Sequence, residues 1–341
     1  MEPTAFTRQL IDIESITGNE RQVGEYLAER LSSLGLAVEK MPVQDGTDAG
    51  EPGRERFNVL AAWPENPLPT IVFSTHMDTV PPFIPSSEDS GQIHGRGACD
   101  AKGIIAAQVA AALRLHSEGI HVGLLFVVGE ERDSTGALVA NTQPRKSRFL
   151  INGEPTENKL ALASKGSLRV ELTAHGRMAH SAYPELGESA IEKLLDAIDC
   201  LRKLELPVNS EVGPCTMNIG QVEGGRAPNV IPDFARAQLL YRLVGPTDQL
   251  KRKITAAVDG LADARFALEI PFMKLRTVPG IRTMVAAFTT DIPALTNWGE
   301  PLLIGPGSIH VAHTEREFIE KQELMAAVDL YCDIVRKLPR T

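Results

Sequence analysis

Apolar positions along the chain fall into two rhythms, and the switch between them divides it. After the turn SITGNE, Val23, Leu27, Leu31 and Leu34 lie on one face at helical spacing and Gly35 supplies a stop, which predicts a helix. A Pro-rich turn then leads into TIVFST at 70 to 75, a strand-like run. Residues 102 to 118 are Ala-rich and helical in pattern, with Asp100 just ahead and Gly119 just behind. VGLLFVVG at 122 to 129 is continuously apolar over strand length, as in sheets covered on both faces. A polar helix near 134 to 142 and another buried strand, RFLING at 148 to 153, complete an alternating α/β layer.

From about residue 165 the order becomes strand (167 to 175), helix (187 to 204), strand (215 to 222), strand (234 to 243), helix (247 to 260) and strand (264 to 270). This βαββαβ order predicts an inserted ferredoxin-like domain at 166–274 within a first domain made of 1–165 and 275–341. LLIGPGS then precedes a last helix, for which Thr314 and Glu317 read as a capping box and Phe318, Leu324, Val328, Tyr331 and Val335 as the apolar face. The polar, Pro- and Gly-containing stretch at 42 to 53 reads as a surface loop.

Composition narrows the function classes. At 341 residues and 43% hydrophobic content, the chain is long enough for two domains with full cores. With 35 basic against 44 acidic residues, a net charge of -9 argues against nucleic acid or an anionic membrane and for a small-molecule partner. No apolar run reaches membrane-helix length and the first residues carry no signal pattern, so the expectation is a cytoplasmic protein. Cys99, Cys200, Cys215 and Cys332 have no paired spacing, so any metal must be held by His and carboxylates.

Those groups stand at strand ends. TIVFST runs into His76-Met77-Asp78, VGLLFVVG into Glu130-Glu131, and RFLING into Glu154, while Asp100 lies in a Gly-rich turn before a helix. Taken singly these are ordinary surface charges or an N-cap. Jointly they point to one site, because the crevice of an open α/β sheet lies beyond the carboxyl ends of its strands. Imidazole and carboxylate donors without thiolate favour zinc, with cobalt or manganese as alternatives. Two such ions about 3.5 to 4 Å apart need a shared carboxylate. Asp100 is the candidate bridge.

HMDTVP at 76 to 81, GRGACDAKG at 95 to 103, the Glu130-Glu131 pair, GEPT at 153 to 156 and AHTEREF at 312 to 318 resemble, in order, five signature segments of one metallohydrolase family. It is the aminoacylase, acetylornithine deacetylase, succinyl-diaminopimelate desuccinylase and glutamate carboxypeptidase family. The resemblance implies that His76, Asp100 and Glu154 hold one ion and Asp100, Glu131 and His313 the other. It further implies that Asp78 orients His76, and that Glu130 is the base that deprotonates a metal-bridging water for attack on an amide carbonyl.

GRMAHSAYP at 176 to 184 resembles the segment whose histidine, here His180, reaches the partner subunit's site to stabilise an oxyanion, which implies a homodimer formed through the inserted domain. Asn229 in GGRAPNVIPD, Gly307 and Ser308 in GPGS, and Arg242 are the implied substrate contacts. Tyr241 stands where the family usually carries an acidic residue, and Ala101 where it often has methionine. The other histidines, His94, His116, His121, His175 and His310, read as structural, although His310 lies close enough to His313 to compete for its role. The expected reaction is removal of an acyl group, acetyl first, from an N-acyl amino acid such as N-acetylornithine. A carboxypeptidase or dipeptidase of the same family is the alternative. A catalytically dead binding protein is disfavoured because Glu130 and all five implied ligands are present.

Overall fold

The computed structural model describes residues 1–44 and 55–339. In chain order its main elements are α1 (Pro3–Ile11), α2 (Arg21–Ser33), β1 (Ala37–Val43), β2 (Arg56–Ala62), β3 (Ile71–His76), α3 (Lys102–Ser117), β4 (Gly123–Val127), α4 (Thr135–Asn141), β5 (Phe149–Asn152), β6 (Gly166–His175), α5 (Ala190–Arg202), β7 (Thr216–Gly224), β8 (Phe234–Leu243), α6 (Asp248–Ala257), β9 (Asp263–Ile270), β10 (Glu300–Leu303) and α7 (Lys321–Lys337). The chain divides into two compact units. One comprises Met1–Leu162, Leu275–Met284 and the chain from Thr290 onward; the other comprises Ala163–Lys274 and Val285–Thr289.

The first unit is built on a six-stranded sheet of order β1-β2-β4-β3-β5-β10. β3, β4, β5 and β10 run parallel, and β1 and β2 are antiparallel at one edge. Every residue of β3, β4 and β5 is buried, the pattern of strands covered on both faces. Alternate residues serve opposite cores. Val59, Phe73, Leu124 and Ile151 join α1, α2, α3 and α7 in the larger core, whereas Leu60, Val72, Leu125 and Leu150 meet Ala137 and Ala140 of α4 and Trp298. Each such side chain contributes roughly 1.5–3 kcal/mol by burial. α3 is buried nearly all round, packing on α1 and α7, which is why its Ala-rich sequence lacks a polar face. No helix among the described residues is long and apolar enough to cross a membrane.

The second unit is a four-stranded antiparallel sheet of order β7-β8-β6-β9. Numbered 1 to 4 along the chain, these strands stand in the order 2-3-1-4, the ferredoxin-like arrangement. One face carries Leu168, Val170, Leu172, Ala235, Ala237, Leu239 and Tyr241 against α5 and α6.

The predicted capping box is corrected. α7 begins at Lys321, not after Thr314, because Phe318–Glu320 pairs as a short strand with Gln92–His94. Thr314 Oγ1 donates to the Val311 carbonyl, and Glu317 is drawn into the interior by Arg96. Phe318 therefore belongs to this strand and not to the apolar face of the helix. α1, β1 and β2 have no counterpart among the predicted elements. Of the expected surface loop at 42 to 53, Pro42 and Val43 belong to β1 and residues 45 to 53 lie outside the described residues.

Candidate metal centre

β3 and its parallel neighbours β4 and β5 end on the same side of the sheet, with His76 opposite Val127 and Ser74 opposite Asn152. The charged residues that follow them therefore meet at one edge. His76 is fully buried, with Nε2 3.0 Å from Asp100 Oδ1 and Nδ1 3.0 Å from the main-chain carbonyl of Asp78. The Asp78 carboxylate is more distant, 3.5 Å from Nδ1, so the residue orients the imidazole chiefly through its backbone. Burial works against a charged imidazole here, but the hydrogen bonds to Asp100 and Asp78 outweigh it and raise His76 well above its ordinary value, so that in the metal-free protein Nε2–H donates to Asp100.

On the other side of Asp100, Oδ2 lies 3.3 Å from His313 Nε2, which is also 2.9 Å from Glu131 Oε2. His313 adopts a left-handed backbone (φ 62°), uncommon for a residue with a side chain. Such a conformation is often retained where function fixes a side chain. His310, the competing candidate, is not in either group of metal-ligating atoms.

Two sets of donor atoms result. His76, Asp100 and Glu154 form one and Asp100, Glu131 and His313 the other, each with its atoms within 4.8 Å of one another. The chemistry of the set fits divalent ions, with two imidazoles and three carboxylates. Glu154 supplies a second sign: it is buried, and its Oε1 has no hydrogen-bond partner among the described residues. A buried carboxylate oxygen left without a donor is costly unless a cation meets it.

The electrostatics follow from this crowding. Burial raises the carboxyl of Glu154, as do Glu130 and Asp100, against the opposing pull of His76. Desolvation likewise raises Glu130, with His76 opposing and Asp291, Glu131 and Asp100 reinforcing the rise. Hydrogen bonding to Asp100 and Glu131 pushes His313 up to about 10.

Residues 162–265 match the family described as the peptidase dimerisation domain. A peptidase M20 domain-containing protein of Schizosaccharomyces pombe is 37% identical over 340 residues, covering 95% of this chain and 82% of that protein. A protein of Aspergillus terreus named a probable carboxypeptidase is 38% identical over 370 residues, covering 97% and 85%. The chain belongs to the M20 peptidase family. The solved structure of aminopeptidase PepT from Bacillus cereus shares the M20 fold, with a TM-score of 0.81 at 21% identity over 98% of each chain. Membership makes the chain a metal-dependent hydrolase of peptide or amide bonds. The subfamily named by the sequence resemblance is narrower than these likenesses carry.

Two residues beside these ligand groups escape the sequence reading. Glu317 Oε1 accepts the N–H groups of Cys99 and Asp100, both at 3.2 Å, while Oε2 lies 2.7 Å from Arg96 Nη1. It thereby pins the turn that carries Asp100. Gly307 packs against the same turn; a Cβ there would lie 2.4 Å from that of Cys99. Asp291 is buried, and among the described residues neither carboxylate oxygen has a hydrogen-bond partner. Burial raises its carboxyl to about 7, with Ser134 and His76 pulling down and Asp78 and Asp133 pushing up. Nothing in the local sequence TDIPAL marks it. The cue that could have found Glu317 is its spacing from Thr314, which suggested a cap.

The implied substrate contacts are placed as follows. Ser308 Oγ donates to Glu157 Oε1 at 3.1 Å, and the Gly307 N–H is turned toward the Glu323 carboxylate. Both are thus engaged within the first unit. In the second unit His180 and Asn229 are exposed on one small ribbon, where His180 pairs with Val230 and Asn229 accepts from the Ser181 N–H at 3.0 Å. Arg242 is half-buried and has no ion pair among the described residues. Tyr241 points to the opposite, helix-covered face, so the departure from the family at this position affects the core and not Arg242's surface.

Proposed function

We propose that the protein hydrolyses the amide bond next to a free carboxylate in a short peptide, as a carboxypeptidase or dipeptidase, with two divalent ions, zinc first, held by His76, Asp100 and Glu154 and by Asp100, Glu131 and His313. The observation that carries this reading is the pair of ligand groups sharing Asp100, with Glu130 held next to the ligand Glu131 by the Asp78 carboxylate. The name probable carboxypeptidase on a relative 38% identical favours peptides over the N-acetyl amino acids first expected from the sequence.

When bound, the ions supply Lewis acidity, polarising the scissile carbonyl and acidifying the attacking water. Glu130 takes the proton from that water and delivers it to the leaving amine, and burial raises its carboxyl, which favours its holding that proton between the two transfers. Asp78 holds the Glu130–Glu131 backbone and His76 in place. In the second unit, Arg242 clamps the substrate carboxylate, Asn229 contacts the substrate, and His180 stabilises the oxyanion in the partner subunit's site. Ser308 and Gly307 border the same substrate. The match to the dimerisation domain supports a homodimer. The substrate class suits a cytoplasmic enzyme of amino-acid metabolism.

The test is amine release by the zinc-loaded protein from dipeptides ending in Glu, Gln, Ala and Gly and from N-acetyl, N-succinyl and N-formyl amino acids. Preferred dipeptide hydrolysis supports the proposal, and preferred cleavage of N-acetyl amino acids replaces it with the deacylase. Glu130→Gln lowers kcat by about 10²–10⁴-fold if Glu130 is the base. Unchanged turnover in that variant overturns the mechanism.

A further inference from the structure

The open face of the second unit's sheet carries four arginines, and they divide into two kinds. Arg236 on β8 is paired with Glu223 at 2.8 Å, and Arg265 on β9 is paired with Glu171. Arg169 on β6 and Arg242 on β8 make no hydrogen bond or ion pair among the described residues. They are also neighbours. Arg242 stands opposite Ser167, and Arg169 is two residues further along the same strand, opposite Leu240. Positions related in this way lie about 7–8 Å apart on the same face, within reach for long side chains.

Their surroundings supply no counter-charge. Besides Ser167 and Leu240, the facing residues are Thr216 on β7 and Leu268 and Ile270 on β9, all neutral. The nearby carboxylates are committed elsewhere, Glu171 to Arg265, Glu223 to Arg236, and Glu269 to Thr247 and Lys251. Neither guanidinium has an anion to offset its charge among the described residues, and burial opposes the charge of Arg242. The rest of this face neutralises its arginines. At this end no carboxylate among the described residues of the sheet faces them, as expected where an incoming molecule provides the anions.

We propose that Arg169 and Arg242 form a two-guanidinium subsite for a small dicarboxylate, so that the preferred substrates end in an acidic residue. This rests on the peptidase reading, in which Arg242 takes the α-carboxylate; Arg169 then takes the side-chain carboxylate. Each planar guanidinium matches one carboxylate bidentately, and their diagonal placement suits two carboxylates on one short chain. Arg169 is thus a specificity residue.

Two measurements test it. With zinc-loaded enzyme, kcat/KM for Ala-Glu exceeds that for the neutral isostere Ala-Gln at least tenfold, and Arg169→Gln erases most of that ratio through KM for Ala-Glu. Equal rates on the two dipeptides, or an equal loss on both in Arg169→Gln, overturn the proposal. Calorimetric binding of glutarate against butyrate needs no turnover: glutarate binds at least tenfold more tightly, and Arg169→Gln removes the difference. Binding of this kind without hydrolysis of any dipeptide refutes the peptidase reading and leaves the subsite standing. No preference for glutarate refutes the subsite alone. Sedimentation decides the remaining case, since dissociation of the protein by Arg169→Gln assigns this arginine to a contact between copies and overturns the inference.

Discussion

Asp78 and Glu130 are joined through the main chain: the Asp78 carboxylate accepts the Glu130 N–H on Oδ1 at 3.1 Å, and on Oδ2 it accepts the Glu131 N–H at 3.2 Å and the Thr17 hydroxyl at 2.8 Å. One buried carboxylate thus fixes the backbone of the proposed base and of a proposed ligand, while its own carbonyl orients His76. Burial works against its charge, yet the His76, Thr17 and Glu131 hydrogen bonds hold its carboxyl below the usual range. Asp78→Ala is expected to lower kcat/KM and metal affinity by about 10–100-fold, the usual cost of losing a residue that orients ligands. Steady-state kinetics and metal titration check this, and wild-type values for both would show that the Glu130–Glu131 turn holds itself.

Glu317 is the corresponding device on the far side of Asp100. Its carboxylate and the Arg96 guanidinium are both buried, so Glu317→Ala leaves an unpaired charge and two main-chain N–H groups without their acceptor. Breaking a buried pair from one side costs about 3–5 kcal/mol. Urea denaturation of the metal-free variant is expected to show that loss, together with weaker metal binding. A change below about 1 kcal/mol, the scale of an exposed pair, would mean that the turn does not depend on this contact.

The contrast between these two residues explains what the sequence could disclose. β3, β4 and β5 were legible because strands buried on both faces must be apolar throughout, and a charge at the end of such a run stands out. Their parallel alignment then brings His76, Glu130, Glu131 and Glu154 to one edge without any long-range information. Glu317 was misread because Thr314 and Glu317 satisfy a local helix-start pattern, whereas Arg96, 221 positions away, decides where the carboxylate goes. The edge strand β1 carries polar residues on an exposed border, which weakens its alternation, and the buried β2 beside it has its apolar run broken by Arg56 and Asn58. Asp291 had no local cue because its environment is made of groups distant in the sequence.

Asp291 gives a pH-dependent prediction. Its folded carboxyl is raised to about 7 from an ordinary 3.8, so ionising it opposes folding. Below the unfolded value the acid is neutral in both states and costs nothing; between about 4 and 7 the penalty grows, and above 7 it is constant. Asp291→Asn should therefore match the wild type in metal-free stability near pH 4 and exceed it increasingly up to pH 7. Urea midpoints across that range measure the difference. A gap as large at pH 4 as at pH 8 would rule out ionisation as its origin.

His313 makes metal loading a proton-releasing event. In the metal-free protein, hydrogen bonds to Asp100 and then Glu131 raise it to about 10 from an ordinary 6.5, so at pH 7.5 it carries a proton. The charged imidazole favours the folded state below pH 6.5, and this contribution is lost as pH rises through about 10. A metal ligand must be neutral, so binding displaces that proton and apparent affinity increases with pH until His313 is already deprotonated. Calorimetric titration of zinc at pH 7.5, in buffers of different ionisation enthalpy, counts the protons released. His313→Ala should lower that count by about one and weaken the ion shared by Asp100 and Glu131. If the variant releases as many protons as the wild type, His313 enters the site already neutral, and the proton attributed to it is not there to be displaced.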